Sequence, residues 1–414
     1  MSRSLKLLSL IMVVLLVGTL LAGCGSKDTA KEGDKAAPEK VTEIKIGSIH
    51  PLTGNLAYDG KMIRNALELA IDEVNTAGGI KSLGGAKLKL VDGDNQGSPE
   101  KAVSEVQRLI KEGAVVLTGT YTSSATFAAT QEAEKQKTPF VITVSSAPNI
   151  LERGFKYSFR IQPSATVFAQ NFIEYMTKLV TPEIKTAAVA HEDTLFGTTF
   201  GDYVEKHIAE TGLKMVVRVP YSNKSPSLTA EVNKIAAAKP DILIGSGYYT
   251  DQTLLVKTLK EQKVDVKAII GIANGAFSDP KFIQDLGKDA EYVMDVNYRY
   301  NPKNPKALEV RDKFKQKYGV EMNSSSLYGY VTGMVIADAL ERAASTDKDK
   351  IREALAQTNM ADHILPHKEV KFNEAGENIN AAGVITQIQN GKHVVVFPEE
   401  YAEAKLIFPF PKIK

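Results

Sequence analysis

The stretch Ala114-Val-Val-Leu-Thr-Gly-Thr-Tyr-Thr-Ser-Ser-Ala-Thr-Phe-Ala-Ala129 decides the reading of this 414-residue chain. Ala114–Thr118 reads as a buried strand and Ser124–Lys135 as a helix of small residues. Gly119–Ser123 is then the turn at the carboxyl end of a strand in an open α/β sheet, the edge where such sheets bind ligands. The first backbone N–H groups of a helix lack intrahelical partners and carry the positive end of its dipole. Thr122, Ser123 and Ser124 therefore offer hydroxyls and amides to an anion such as a ligand carboxylate. Plain capping by Ser123 would use the same residue without any ligand.

Outward from that turn, strands and helices alternate almost without interruption. Strands are expected at Glu43–Ile49, Lys87–Asp92, Phe140–Val144, Thr186–Ala190, Lys214–Val219, Asp241–Ile244, Ala268–Ile272 and Tyr292–Val296, with helices between them. Such alternation implies parallel sheets covered on both faces. The strands are too many for one open sheet, and turn signals at Phe159–Pro163 and Asn297–Pro305 divide them into two runs. The expectation is an α/β protein of two lobes, each a mostly parallel sheet flanked by helices, with a cleft between them. Lobe 1 takes residues 41–162 and 297–366, lobe 2 takes 163–296 and 367–399, and 400–414 form a tail. In that tail Phe408-Pro409-Phe410-Pro411 reads as an extended segment laid against the hinge.

The amino terminus carries an address. Arg3 and Lys6 precede the apolar run Leu7–Leu21, which ends in Leu21-Ala22-Gly23-Cys24, so residues 1–23 read as a signal peptide. Cys24 is the only cysteine. Standing directly after the apolar run with no second thiol to pair with, it is a lipidation site rather than a structural or catalytic thiol. Residues 24–40 are polar and read as a flexible tether. Across the chain 51 Lys and Arg face 49 Asp and Glu, and loss of Arg3 and Lys6 with the signal peptide brings the two into balance. That leaves no basic excess for a phosphate backbone, so nucleic acid is not an expected partner.

Ile46-Gly47-Ser48-Ile49-His50-Pro51-Leu52-Thr53-Gly54, the helix running into Ile71-Asp72-Glu73-Val74-Asn75-Thr76-Ala77-Gly78-Gly79-Ile80, Asp92-Gly93-Asp94-Asn95 and the Gly119–Ser124 turn occur in an order that resembles the leucine/isoleucine/valine-binding type of periplasmic binding protein. The Leu-Ala-Gly-Cys sequence likewise resembles a bacterial lipobox. The resemblance implies a type I "Venus flytrap" fold, no catalytic activity and no cofactor. It also implies a lipid-anchored, extracytoplasmic protein that passes a small ligand to the permease subunits of an ABC importer.

Carried onto this sequence, the resemblance implies that Ser123 with Ser145, Ser146 and Ala147 holds the ligand carboxylate. Phe196 falls at an aromatic position, and Tyr248 and Tyr249 form a closing wall. Amino-acid binders of this type carry an acid after the strand corresponding to Ala268–Ile272; here Asn274 stands in that loop. Asp59 or Asp193 is then left to meet a ligand ammonium, or the ligand is an amine-free carboxylate, for example an aromatic one. A sensor role for the same fold and a secreted serine hydrolase are the remaining alternatives.

Catalytic and metal patterns are thin. H-E-x-x-H, C-x-x-C and G-x-S-x-G are absent from the sequence. His363 and His367 have Pro366 between them, which breaks a helical metal face. Asp92–Gly97 begins like an EF-hand, but Val103 stands at the twelfth position where Glu is needed.

Overall fold

The computed structural model describes residues 41–411, so the signal peptide, Cys24 and the tether lie outside the described residues. The first sheet contains β1 (Glu43–His50), β2 (Lys87–Asp94), β3 (Val116–Gly119), β4 (Phe140–Ile142) and β5 (Ser158–Arg160). Its order is β2-β1-β3-β4-β5, and every pairing is parallel. Helices α1 (Ala57–Thr76), α2 (Pro99–Lys111) and α3 (Ser123–Lys135) connect these strands. At α2 the Ser98 hydroxyl accepts the Lys101 N–H and Pro99 opens the helix, a start that needs no tertiary help.

α4 (Ala165–Leu179) leads into the second sheet. There β6 (Thr186–Glu192), β7 (Lys214–Tyr221), β8 (Ile242–Ser246), β9 (Ala268–Ile272) and β10 (Met294–Asn297) run parallel. Between them lie α5 (Leu195–His207), α6 (Thr229–Ala238), α7 (Tyr249–Glu261) and α8 (Pro280–Leu286). Every residue of β8 and β9 is buried, which explains their uninterrupted apolar runs.

The chain then returns to the first sheet through α9 (Pro305–Tyr318), α10 (Ser324–Ala343) and α11 (Lys348–Ala356). α10 lies so close to α1 that a Cβ on Gly329 would stand 2.5 Å from the Ile63 carbonyl oxygen, and one on Gly333 2.6 Å from the Ala70 Cβ. A short ribbon, β11 (Asn359–Met360) with β12 (Val370–Lys371), follows. Last, β13 (Val384–Gln389) adds antiparallel to β10 and β14 (Lys392–Phe397) antiparallel to β13, giving the second sheet the order β14-β13-β10-β9-β8-β6-β7. The fold is therefore α/β and two-lobed, and the chain passes between the sheets three times: after β5, after β10 and before β13.

The tail departs from expectation. The Phe410 N–H donates to the Lys267 carbonyl at 2.7 Å and Gln387 Nε2 donates to the Ile407 carbonyl at 2.7 Å. These residues lie at the start of β9 and on β13, so the tail runs along the second sheet and not against the hinge.

Candidate functional site

Gly119, where β3 ends, has φ +135°, and a Cβ there would sit 1.9 Å from the Ile49 carbonyl oxygen of the neighbouring strand. Only glycine can end the strand that way. Two residues on, Tyr121 has φ +83°, a costly conformation for a bulky side chain and one concentrated at functional sites. The surroundings hold it there: Ser145 Oγ donates to the Tyr121 carbonyl at 3.0 Å and Asn95 Nδ2 to the Thr120 carbonyl at 3.2 Å.

Thr122, not Ser123, caps α3. Its Oγ1 accepts the Ala125 N–H at 3.4 Å, and Ser123 is already the first helical residue. Ser123 Oγ instead accepts the Ala147 N–H at 3.3 Å, tying α3 to the loop after β4. In that loop the Ser145 hydroxyl is engaged by Tyr121 and by Thr126 Oγ1. Ser146 Oγ is buried without a hydrogen-bond partner.

Behind the loop stands Arg160, fully buried on β5. Its guanidinium donates to the carbonyls of Ser145 at 3.2 Å and Ala147 at 3.0 Å, and it pairs with Glu377 at 3.2 Å. Gln162 Nε2 also donates to the Ser145 carbonyl. These donors fix the orientation of the peptide groups around Ser146.

From the second lobe, the Tyr248 ring lies 5.4 Å from the Tyr121 ring and 5.3 Å from the Phe196 ring. Together with Val144, Gly247, Ala273, Asn274, Gly275, Asn297, Tyr298, Ser324 and Ser325, these rings line one pocket between the two sheets. Tyr249 is not among the lining residues. Its hydroxyl donates to Asp285 at 2.6 Å, and its ring lies 5.1 Å from that of Tyr58. Asn274 lines the pocket, but its amide is spent within the fold. Nδ2 donates to Gln252 Oε1 at 2.7 Å and Oδ1 accepts the N–H groups of Ala276 and Phe277.

Buried acids surround the pocket. Burial raises the pKa values of Asp59, Asp251 and Glu192, in each case reinforced by another carboxyl. Asp279 is pushed up to about 6 and Asp295 to about 7, again by burial first. Of the two acids singled out in the sequence, Asp59 is 2% exposed while Asp193 is exposed. The buried neighbour of Asp193 is Glu192, whose carboxylate accepts the N–H groups of Thr194 at 2.8 Å and Gly197 at 2.6 Å at the start of α5.

The structure thus brings Phe196, Tyr248 and Asn274 to one pocket, sets Ser123, Ser145, Ser146 and Ala147 together beside its Tyr121–Val144 wall, and turns Tyr249 elsewhere. Sequence reasoning missed Tyr121, Tyr298, Ser324 and Ser325. Tyr298 follows β10 at a carboxyl edge, the signal that points to the other site residues, but it lies inside Asn297–Pro305, whose turn residues mark only the end of a run of strands. Among the described residues no group of His, Cys, Asp and Glu is placed to hold a metal ion. His363 and His367 each face the Lys368 carbonyl instead.

The family model for periplasmic binding proteins matches residues 43–392. The Leu/Ile/Val-binding protein homolog 7 of Brucella suis is 30% identical over 412 residues, covering 96% of this chain and 99% of that protein. Among solved structures, the branched-chain amino acid transporter substrate-binding protein LivJ of Streptococcus pneumoniae, in complex with isoleucine, has a TM-score of 0.75 at 20% identity. That match covers 86% of this chain and 100% of that one. A solute-binding protein of an ABC transporter from Rhodopseudomonas palustris, in complex with 3,4-dihydroxybenzoic acid, gives the same TM-score at 19% identity, with coverage of 85% and 95%. At those identities the two solved structures speak to the fold alone.

Proposed function

Because the chain belongs to the leucine/isoleucine/valine-binding type of periplasmic binding protein, we propose that it is a lipid-anchored solute-binding protein that captures a small carboxylate and delivers it to an ABC importer. An apolar amino acid is the ligand class this reading favours. The family is one of extracytoplasmic, non-enzymatic binders, so the site is read as a trap and not as a catalyst.

The observation that carries the reading is Ser146. Its hydroxyl is fully buried without a partner, beside the amino terminus of α3, on a loop whose carbonyls Arg160 draws to the other side. A buried hydroxyl without a hydrogen bond costs free energy that a carboxylate would return. Ser123, Thr122, Ser145 and Ala147 complete the first-lobe side. Phe196 and Tyr248 close from the second, and closure favours whichever state makes more ligand contacts. A thermal melt of the purified full chain against amino acids and amine-free carboxylates tests this. A true ligand at about a thousand times its Kd stabilises by about 4 kcal/mol, and a panel without any shift would remove the carboxylate reading. Cys24→Ala should release the chain from membranes with binding intact; retention in the membrane fraction would sink the lipid anchor.

A second reading changes only the ligand, to an amine-free and aromatic carboxylate. It is favoured by Asn274, whose amide is used up inside its own loop, and by the rings of Tyr121, Phe196, Tyr248 and Tyr298 that line the pocket.

A further inference from the structure

Tyr121, Val144, Phe196, Tyr248 and Tyr298 give the pocket an apolar body, and among the described residues no charged side chain lines it. Most of its polar side chains are committed within the fold. The Asn274 amide is used inside its own loop. Asn297 Nδ2 donates to the Asn274 carbonyl and to Asp295 Oδ2, both at 2.7 Å, while Asn297 Oδ1 accepts the Tyr298 N–H at 2.7 Å. Tyr298 Oη donates to the Val144 carbonyl at 3.2 Å.

Ser324 and Ser325 differ. They form the first two positions of α10, line the pocket and are each only 6% exposed. The cap of the helix bypasses both: Asn323 Oδ1 accepts the Ser326 N–H at 2.8 Å, and Ser326 Oγ donates back to the Asn323 carbonyl at 2.7 Å. Among the described residues neither the Ser324 nor the Ser325 hydroxyl has a hydrogen-bond partner. Tyr248, which lines the same pocket, also has a buried Oη without a partner. The polar groups left to a ligand here are therefore hydroxyls.

We propose that the ligand is an apolar carboxylate whose far end carries one neutral hydroxyl, and that Ser324 and Ser325 at the start of α10 select it. This rests on the solute-binding reading above and narrows either of its ligand classes, with or without an amine. A hydroxyl both donates and accepts, so the serine hydroxyls match it in either sense. A charged group at that end would be buried without a counter-charge among the lining side chains. A purely apolar end would leave two serine hydroxyls buried and unsatisfied, a cost that the hydroxylated ligand avoids. Ser146 lies on the loop after β4 and Ser324 on α10, so separate elements of the first lobe address the two ends of the ligand.

The test measures calorimetric affinities of the purified full chain for three pairs in which one member carries a hydroxyl that the other lacks. The pairs are L-tyrosine and L-phenylalanine, L-threonine and L-valine, and 3-(4-hydroxyphenyl)propanoate and 3-phenylpropanoate. In at least one pair the hydroxylated member should bind about 10- to 100-fold more tightly, since a site built to hydrogen-bond a hydroxyl discriminates against the analogue without it. The double variant Ser324→Ala, Ser325→Ala should bring that pair to equal affinity by weakening the hydroxylated member. Each single substitution should narrow the gap, and these serve if the double variant does not fold. Equal or tighter binding of the unhydroxylated member in every pair overturns this inference and leaves the carboxylate reading standing. A preference that survives the double variant likewise overturns it. If none of the six probes binds, the carboxylate reading and this inference fall together.

Discussion

Tyr58 Oη, on α1, donates to Asp279 Oδ1, the cap of α8, at 3.0 Å, while Asn323 Nδ2 at the start of α10 donates to the other oxygen at 2.9 Å. Two donors from helices packed on the first lobe thus grip one carboxyl of the second. The contact spans the two lobes, which places it to act as a latch on their closure. Tyr58→Phe removes one of its two hydrogen bonds and keeps the ring against Tyr249. Dissociation of a bound ligand should quicken by roughly 5- to 30-fold, the effect of about 1–2 kcal/mol. Stopped-flow release measures it, and an unchanged rate would show that closure does not depend on this contact.

Ser146→Ala and Ser123→Ala should part company. The Ser146 hydroxyl has no partner in the fold, so its loss should leave unliganded stability nearly unchanged while weakening a carboxylate ligand by roughly 1.5–3 kcal/mol. Ser123 Oγ already accepts the Ala147 N–H, so its loss should lower stability by about 1 kcal/mol as well. Paired urea titrations and calorimetric binding separate the two. Equal unliganded stabilities would contradict the distinction.

Arg160→Met should cost about 3–5 kcal/mol, because it strands the Glu377 carboxylate and frees the carbonyls of Ser145 and Ala147. Adding Glu377→Gln should recover part of the stability, since the stranded charge disappears. It should recover little of the binding, since the loop stays unsupported. Full recovery of both by the double variant would show that Arg160 serves only the ion pair.

The pH dependence of stability carries an unusual sign. Burial holds the pKa of Asp295 near 7, against about 3.9 in an unfolded chain. Between those values the folded protein keeps a proton that the unfolded chain has released. The contribution is complete below about pH 4 and is lost as the pH rises to about 7, by roughly 1.4 kcal/mol per pH unit in mid-window. Asp279, held near 6, acts in the same direction over a narrower span. Urea unfolding of wild type and Asp295→Asn from pH 4.5 to 7.5 should give curves that converge as the pH falls. Parallel curves would mean that Asp295 ionises normally.

Elements bounded by local chemistry were legible in the sequence. α9 (Pro305–Tyr318) has Asn304 as its cap, Pro305 at its first position and Gly319 at φ +74° after its end, so both of its bounds are written in the residues themselves. β9 likewise occupies its expected Ala268–Ile272. What failed was short or decided by distant packing. β5 has three residues, and its place at the sheet edge comes from pairing with β4. α8 has seven, about two turns, too few to show a helical period. Ser324 and Ser325 reach the pocket only because α10 returns to α1, about 260 positions away in the chain. Single-residue offsets mattered most at the site: the cap fell on Thr122 rather than Ser123, and the buried acid on Glu192 rather than Asp193. Periodicity finds the end of a strand but not which of two adjacent side chains turns inward.

The late return of the chain has a consequence for folding. The first lobe lacks α10 until residue 343 is available, and the second lacks β13 and β14 until residue 397. A chain emerging amino terminus first therefore holds two unfinished cores for most of its length. Contacts this far apart in sequence form slowly, because a long loop must close before they are rewarded. For a protein that has to cross a membrane before it can work, such a delay keeps the polypeptide threadable until its last elements have been made.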